Sequence, residues 1–175
     1  MQETHLISDE EIPKKLSNFD HLYHILATHA TADDKGAGII LFINKTEVLV
    51  TTEELHPGRL LFAQVQNKIT NEFTNIFSFY GKSHAPKKEI INIISKISQK
   101  VIQNNLGNVI VCGDFNFVTS LLDRNSNAFT SMDNNYRYEL VKYQINLVPI
   151  DSFRVTNPKK RLYTYTQQMV RLEQD

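Results

Sequence analysis

The first half of the chain carries five short segments in which apolar residues alternate with polar ones or run together. These segments span residues 23–27, 38–43, 47–52, 59–66 and 73–80. Turn-forming residues separate them, as in Asp33-Asp34-Lys35-Gly36 and His56-Pro57-Gly58. The pattern therefore predicts strands joined by tight turns.

The second half begins with a different periodicity. After Pro86, isoleucines recur every three or four residues as far as residue 102, which predicts a long amphipathic helix. Gly107 ends this segment, and an apolar strand is expected over 108–114. A weaker helix is expected over 135–145, and extended segments over 147–154 and 161–166. The order of strands, helix, strand, helix and strands predicts sheets in the middle with helices outside.

Length and composition narrow the class of protein. With 175 residues, of which 41% are hydrophobic, the chain predicts a single domain over 1–175. Nineteen basic and nineteen acidic residues cancel, so any contact with a polyanion must be local. Cys112 is the single cysteine, which excludes an internal disulfide, favours an intracellular location and predicts a small buried side chain. No apolar run approaches the roughly 18 residues of a membrane span, so we expect no membrane partner.

The strongest chemical signal is the stretch Val109-Ile110-Val111-Cys112-Gly113-Asp114-Phe115-Asn116. A β-branched strand stops at a glycine and then presents a carboxylate and a carboxamide two residues apart. Asp114 is suited to orienting or deprotonating a water molecule, and Asn116 to donating a hydrogen bond to a phosphate oxygen. The structural alternative is that both residues only cap the turn after the strand.

Four ordered segments share this chemical logic. They are Gln2-Glu3-Thr4-His5, Phe79-Tyr80-Gly81, Gly113-Asp114-Phe115-Asn116, and Asp151-Ser152-Phe153-Arg154 followed by Tyr163-Thr164. Together they resemble the endonuclease/exonuclease/phosphatase superfamily, and with Leu121-Leu122-Asp123-Arg124 they look closest to the apurinic-like endonuclease domains of non-LTR retrotransposons. The resemblance implies a four-layer α/β sandwich of two mainly antiparallel or mixed sheets flanked by helices, incomplete here at both termini.

The resemblance also implies metal-ion chemistry. It places Glu3 on Mg²⁺ or Mn²⁺, and it sets Glu173 where the family has the aspartate of an Arg-x-Asp segment. Folding must then bring the carboxylates of Glu3 and Asp114 to a common cation. Glu3 as an exposed terminal carboxylate is the structural alternative.

Further roles follow from the same resemblance. Tyr80 is expected to reach the phosphate or the departing oxygen, although a tyrosine that closes a strand also serves as core. Arg124 and Thr164 are expected to contact the backbone of duplex DNA. Asp151 and Arg154 match a family segment but are explained equally well as a structural ion pair.

The chain departs from the family pattern in several places. It has no opening strand with an asparagine, no terminal Ser-Asp-His, and Gly81-Lys82 where the family has Ala-Pro. We therefore expect a fragment or degenerate copy with little or no turnover by itself. The favoured function is DNA nicking, in the nucleus if the retroelement resemblance holds. The alternatives are hydrolysis of a phospholipid or inositol phosphate, and an inactive remnant that binds nucleic acid or protein.

Overall fold

The computed structural model describes residues 1–2, 4–5, 8, 10–11, 16–82, 86–118, 120–123, 128–131, 133–134 and 152–161. The strands are β1 (Tyr23–Thr28), β2 (Ile39–Asn44), β3 (Glu47–His56), β4 (Leu60–Asn67), β5 (Phe73–Tyr80) and β6 (Val109–Asp114). The helices are α1 (Lys87–Gln103) and the short α2 (Ser152–Thr156), with a 3-10 turn at Leu121–Asp123.

The strands form two sheets. β1 and β2 pair antiparallel, and the larger sheet has the order β3-β4-β5-β6. Within it β3, β4 and β5 are antiparallel neighbours, whereas β6 runs parallel to β5 because α1 carries the chain back across the sheet. The prediction of two mainly antiparallel or mixed sheets with helix outside is confirmed.

Side-chain alternation along β4 and β5 divides the core in two. One face of the larger sheet, including Phe62 and Phe77, packs against Ile93 and Ile97 of α1. The opposite face packs against the two-stranded sheet, as where Ala63 lies against Ile43. Helix, four-stranded sheet and two-stranded sheet therefore form successive layers of an α/β sandwich.

The strands and α1 lie where periodicity predicts them, with one extension and one correction. β3 continues to His56 rather than 52, because Glu53 and Glu54 still pair with β4 although their side chains are polar. Residues 152–154, expected to be extended, are helical. The Thr156 hydroxyl donates to the Ser152 carbonyl, so local hydrogen bonds close a helical turn there. The weaker helix at 135–145 and most of the later extended segments lie outside the described residues.

The two faces of β6 differ in burial. Val109 and Val111 pack against the cluster under α1, whereas Ile110 on the opposite face is 50% exposed. Cys112 shares that face and is also exposed, so the expectation of a buried cysteine is wrong. The reason is that, in the described part of the chain, β1 and β2 pack chiefly against β3, β4 and β5.

Hydropathy gives one further negative finding. In the part of the chain that the structure describes, no helix combines the length and apolar character needed to cross a bilayer.

Candidate active site

Two sequence motifs meet at the carboxyl ends of β5 and β6. Tyr80 and Asp114 are register partners at the ends of these parallel strands, so their side chains leave the same face of the sheet. The pairing continues one residue further, where the Gly81 N–H donates to the Asp114 carbonyl over 2.7 Å. The structure therefore brings together two segments that are far apart in sequence, at the sheet edge where α/β proteins place their sites.

The first motif reaches the same edge through Gln2. The Gln2 side-chain nitrogen donates to the Phe79 carbonyl over 2.7 Å. Its side-chain oxygen accepts from the Asp114 N–H over 2.9 Å. Three of the four ordered motifs therefore converge on one edge.

Asp114 and Asn116 form a tight polar turn after β6. The Asn116 backbone N–H donates to Asp114 Oδ1 over 2.8 Å. Asn116 has a φ of 54°, a left-handed conformation that asparagine tolerates better than most residues. Its side-chain amide donates to the Gly81 carbonyl over 2.5 Å. The turn thus fixes the exposed Asp114 carboxylate through the Asn116 N–H, and the Asn116 side chain connects the turn to the end of β5.

Gly81 is a structural requirement of this arrangement. The residue is buried, and a Cβ added to it would lie 2.4 Å from the Phe115 carbonyl oxygen. Backbone cannot move aside as a flexible side chain can, so a side chain at this position forces the two strand ends apart. This close approach favours glycine at position 81.

Sequence reasoning missed the residues that support Tyr80. The Arg59 guanidinium carbon lies 4.4 Å from the centroid of the Tyr80 ring, and Tyr80 is only 5% exposed. Arg59 makes a bidentate pair with Asp34, with Nε to Oδ2 at 2.8 Å and a terminal nitrogen to Oδ1 at 2.7 Å. A cation stacked on an aromatic ring contributes about 0.5 to 2 kcal/mol. The available signal was a single arginine that opens an otherwise apolar strand.

Lys82 adds a positive charge beside this stack. Its ammonium nitrogen lies 3.8 Å from Asp34 Oδ2, and its side chain is 40% exposed. Because Asp34 is already engaged by the buried Arg59, the partly exposed Lys82 ammonium is a positive charge that can contact a phosphate near Tyr80.

The chemistry of Asp114 suits a hard divalent cation, because a carboxylate oxygen is the ligand that Mg²⁺ and Mn²⁺ prefer. Within the described residues, however, no group of three or more histidine, cysteine or acidic side chains surrounds a metal position. Four of the predicted site residues fall outside the described part of the chain: Glu3, Arg124, Thr164 and Glu173. Their roles stay predictions.

The comparisons with known proteins agree with the architecture. No family model matches the chain. The architecture agrees with the fold expected from the resemblance to the endonuclease/exonuclease/phosphatase superfamily. Among solved structures, the chain is similar to the AP endonuclease LMAP from Leishmania major, with a TM-score of 0.71 and 14% identity. The similarity covers 95% of this chain and 62% of that protein, so the chain spans less than two thirds of its neighbour's length.

Two other solved structures are similar at a lower level. The endonuclease domain of TRAS1, a telomere-specific non-LTR retrotransposon, has a TM-score of 0.48 and 15% identity over 69% of this chain and 52% of that one. D. rerio TDP2, solved with a single-strand DNA product, has a TM-score of 0.47 and 18% identity over 81% and 49%.

Proposed function

We propose that this domain hydrolyses phosphodiesters with the help of a divalent cation, as a DNA-nicking endonuclease of the retroelement type. One observation carries the proposal. An exposed carboxylate, Asp114, is held by the Asn116 N–H directly beside Tyr80 at the carboxyl ends of two parallel strands. Glu3 directly follows Gln2, whose side chain bonds to the Asp114 backbone.

The residues supply the parts that phosphodiester hydrolysis requires. Asp114 orients the attacking water and accepts its proton, because its carboxylate is exposed and fixed on one oxygen only by the Asn116 N–H. Tyr80 lies over a guanidinium that holds its ring in place beside the phosphate or departing oxygen. Mg²⁺ or Mn²⁺, when bound, neutralises charge on the phosphoryl oxygens, and we assign its ligation to Glu3 and Glu173.

DNA is the substrate that we favour. The positive charge near Tyr80 is local in a chain of zero net charge, as backbone contacts with a polyanion require. A solved structure that is similar over 95% of this chain is, by its name, an AP endonuclease. We assign Arg124 and Thr164 to further backbone contacts, and the retroelement interpretation places the protein in the nucleus.

A second candidate is an inactive remnant that still binds DNA. It is favoured by the Asn116 side-chain amide, because one of its N–H groups is already used by the Gly81 carbonyl. The remnant and the nuclease make opposite predictions for turnover but the same prediction for binding.

The proposal is tested by measuring the nicking of supercoiled plasmid by the 175-residue chain, with the protein in excess. Loss of a general acid or base costs on the order of 10² to 10⁴ in rate, whereas enzymes accelerate reactions by about 10⁶ or more. We expect nicking above background in Mg²⁺ or Mn²⁺, and none in EDTA. Asp114→Ala should abolish nicking, while Asp20→Ala, an exposed turn residue, should leave it unchanged.

The other outcomes separate the alternatives. Metal-dependent binding to a DNA duplex without nicking supports the remnant. Hydrolysis of inositol phosphates or phospholipid headgroups without plasmid nicking supports the small-ester phosphatase. Nicking that survives both EDTA and Asp114→Ala contradicts the proposed site.

A further inference from the structure

We propose that Gln2 is a positioning residue for Asp114, because its side-chain amide is inserted into the β5–β6 ladder in place of a direct hydrogen bond between Phe79 and Asp114. The inference rests on the proposed function of Asp114. It assigns the orientation of the Asp114 peptide to a residue that is remote in sequence and touches no reacting atom.

The hydrogen-bond ladder shows where the insertion lies. At its start the Asn75 N–H donates to the Asn108 carbonyl over 2.9 Å, and at its end the Gly81 N–H donates to the Asp114 carbonyl over 2.7 Å. In a parallel ladder alternate residues of one strand bond to the neighbour on both sides, so Phe79 between them is due to accept from the Asp114 N–H. Instead, Gln2 Nε2 donates to Phe79 and Gln2 Oε1 accepts from Asp114.

The backbone at Gly113 is shaped around this insertion. Gly113 has a φ of 142°, which side chains of L residues rarely permit. A Cβ at this position would lie 1.8 Å from the Phe79 carbonyl oxygen and 2.4 Å from Gln2 Nε2. The glycine therefore lets β6 turn away from β5 just where the amide enters, and Asp114 leaves the sheet in the direction that this turn sets.

The backbone of Gln2 is anchored on the other sheet. Gln2 forms an isolated antiparallel bridge with Ile39, and the Ile40 N–H donates to the Met1 carbonyl over 2.8 Å. One side chain thus connects β2 with the ends of β5 and β6. If the two sheets shift relative to each other, the Asp114 peptide changes its orientation. The hydrogen bonds of the Gln2 side chain oppose this change.

Glutamine satisfies both partners at neutral pH. Its amide offers one donor for the Phe79 carbonyl and one acceptor for the Asp114 N–H. Methionine at position 2 keeps the length of the side chain and removes both bonds. An ionised glutamate keeps the acceptor but sets a negative charge against a carbonyl oxygen, whereas a protonated glutamate restores both bonds.

The experiment combines kinetics with a direct measurement of the bond. We expect Gln2→Met to lower the single-turnover nicking rate at saturating DNA by about 10- to 100-fold, with DNA affinity changed less than about twofold, because misplacement of a reacting group affects the rate more than binding. Gln2→Glu should also lower the rate, because an ionised carboxylate keeps the acceptor for the Asp114 N–H but loses the donor for the Phe79 carbonyl. Gln64→Met is the matched control, because Gln64 also donates a side-chain amide to β5, at Asn75, but far from Asp114.

NMR measures the insertion without any assay. A scalar coupling across the hydrogen bond should connect the Asp114 amide nitrogen with the Gln2 side-chain carbonyl carbon, and should vanish in Gln2→Met. Absence of the coupling in the unaltered chain overturns the insertion, and a Gln2→Met rate equal to that of Gln64→Met overturns the positioning role. An unaltered chain that shows the coupling but never hydrolyses DNA rejects the function proposed for Asp114, and with it the positioning role, and leaves the insertion established.

Discussion

A side-chain amide lies at each end of the β5–β6 pair, but the amino end is buried and the carboxyl end leaves a carboxylate exposed. At the amino end, the Asn75 side chain donates to the Gly107 carbonyl over 2.6 Å and accepts from the Gln64 amide over 2.9 Å. Asn75 is 2% exposed, so this end is sealed. At the carboxyl end, the Gln2 amide separates the strands and leaves Asp114 exposed beside it.

The difference shows how one sheet combines stability with a site. A buried amide whose donors and acceptor are paired adds rigidity, since leaving any of them unpaired is costly. An amide that enters from another part of the chain instead holds two strand ends apart and makes room for a carboxylate. The following predictions test whether this division is real.

The largest effect is expected at Gly113, near the end of β6. Gly107, which precedes the strand, is the comparison. Gly113→Ala should lower the free energy of unfolding by about 3 to 5 kcal/mol, because the added Cβ meets backbone and the φ is strained. Gly107→Ala, which has nothing within 4 Å, should change it by no more than about 1 kcal/mol. Urea denaturation measures both. Equal costs at the two positions contradict the close backbone approach described for Gly113 at the carboxyl end of β6.

Removal of the buried amide tests the sealed end. Asn75→Ala should destabilise the protein by about 2 to 3 kcal/mol, because the Gly107 carbonyl and the Gln64 amide lose their partner. At a temperature where the variant remains folded, its nicking rate should stay within about twofold of the unaltered chain. A rate loss greater than tenfold in the folded variant means that this end also belongs to the site.

In the turn after β6, a substitution should have the opposite effect to Asn75→Ala, with a small loss of stability and a large loss of activity. Asn116→Gly permits the positive φ but removes the bond to the Gly81 carbonyl, so the free energy of unfolding should fall by only about 1 kcal/mol. Nicking at saturating DNA should fall by about tenfold or more, because the strand ends are no longer tied together. Asn116→Asp provides the comparison, since it retains the size of the side chain and loses the donor. Full activity in both variants rejects a role for the amide.

The smallest effect concerns Cys112, on the open face of β6. Partial burial raises the pKa of the Cys112 thiol, so at any pH below that pKa the thiolate fraction is lower than in a free cysteine. Alkylation by iodoacetamide should therefore be slower than for the unfolded chain, and its pH-rate midpoint should lie higher. A faster reaction or a lower midpoint in the folded protein contradicts the environment described for β6.

The sequence predicted the strands and the helix better than it predicted the side-chain contacts between distant segments. Alternating residues set β4 and β5, and isoleucine spacing set α1, because burial on one face leaves a local pattern. The stack of Arg59 on Tyr80 and the bridge from Gln2 to Asp114 left no such pattern. Both join segments that only the fold brings together, so the sequence shows their residues but not their partnership.

Local periodicity also failed to predict the polar end of β3 and the short helix α2. β3 extends through Glu53 and Glu54 because backbone pairing with β4 does not depend on apolar side chains. Residues 152–154 carry no helical period, and the turn forms through hydrogen bonds of Thr156 and Asn157. Motif order, in contrast, drew attention to the segments around Tyr80 and Asp114, which the fold places side by side.

The most direct test of the central claim is the position of Mn²⁺ in crystals of the chain, read from its anomalous scattering. The account predicts one principal peak within about 2 Å of a Glu3 carboxylate oxygen, with Asp114 reaching the same cation directly or through one water molecule. A cation bound elsewhere, with the carboxylates of Glu3 and Asp114 on opposite sides of the molecule, would contradict it.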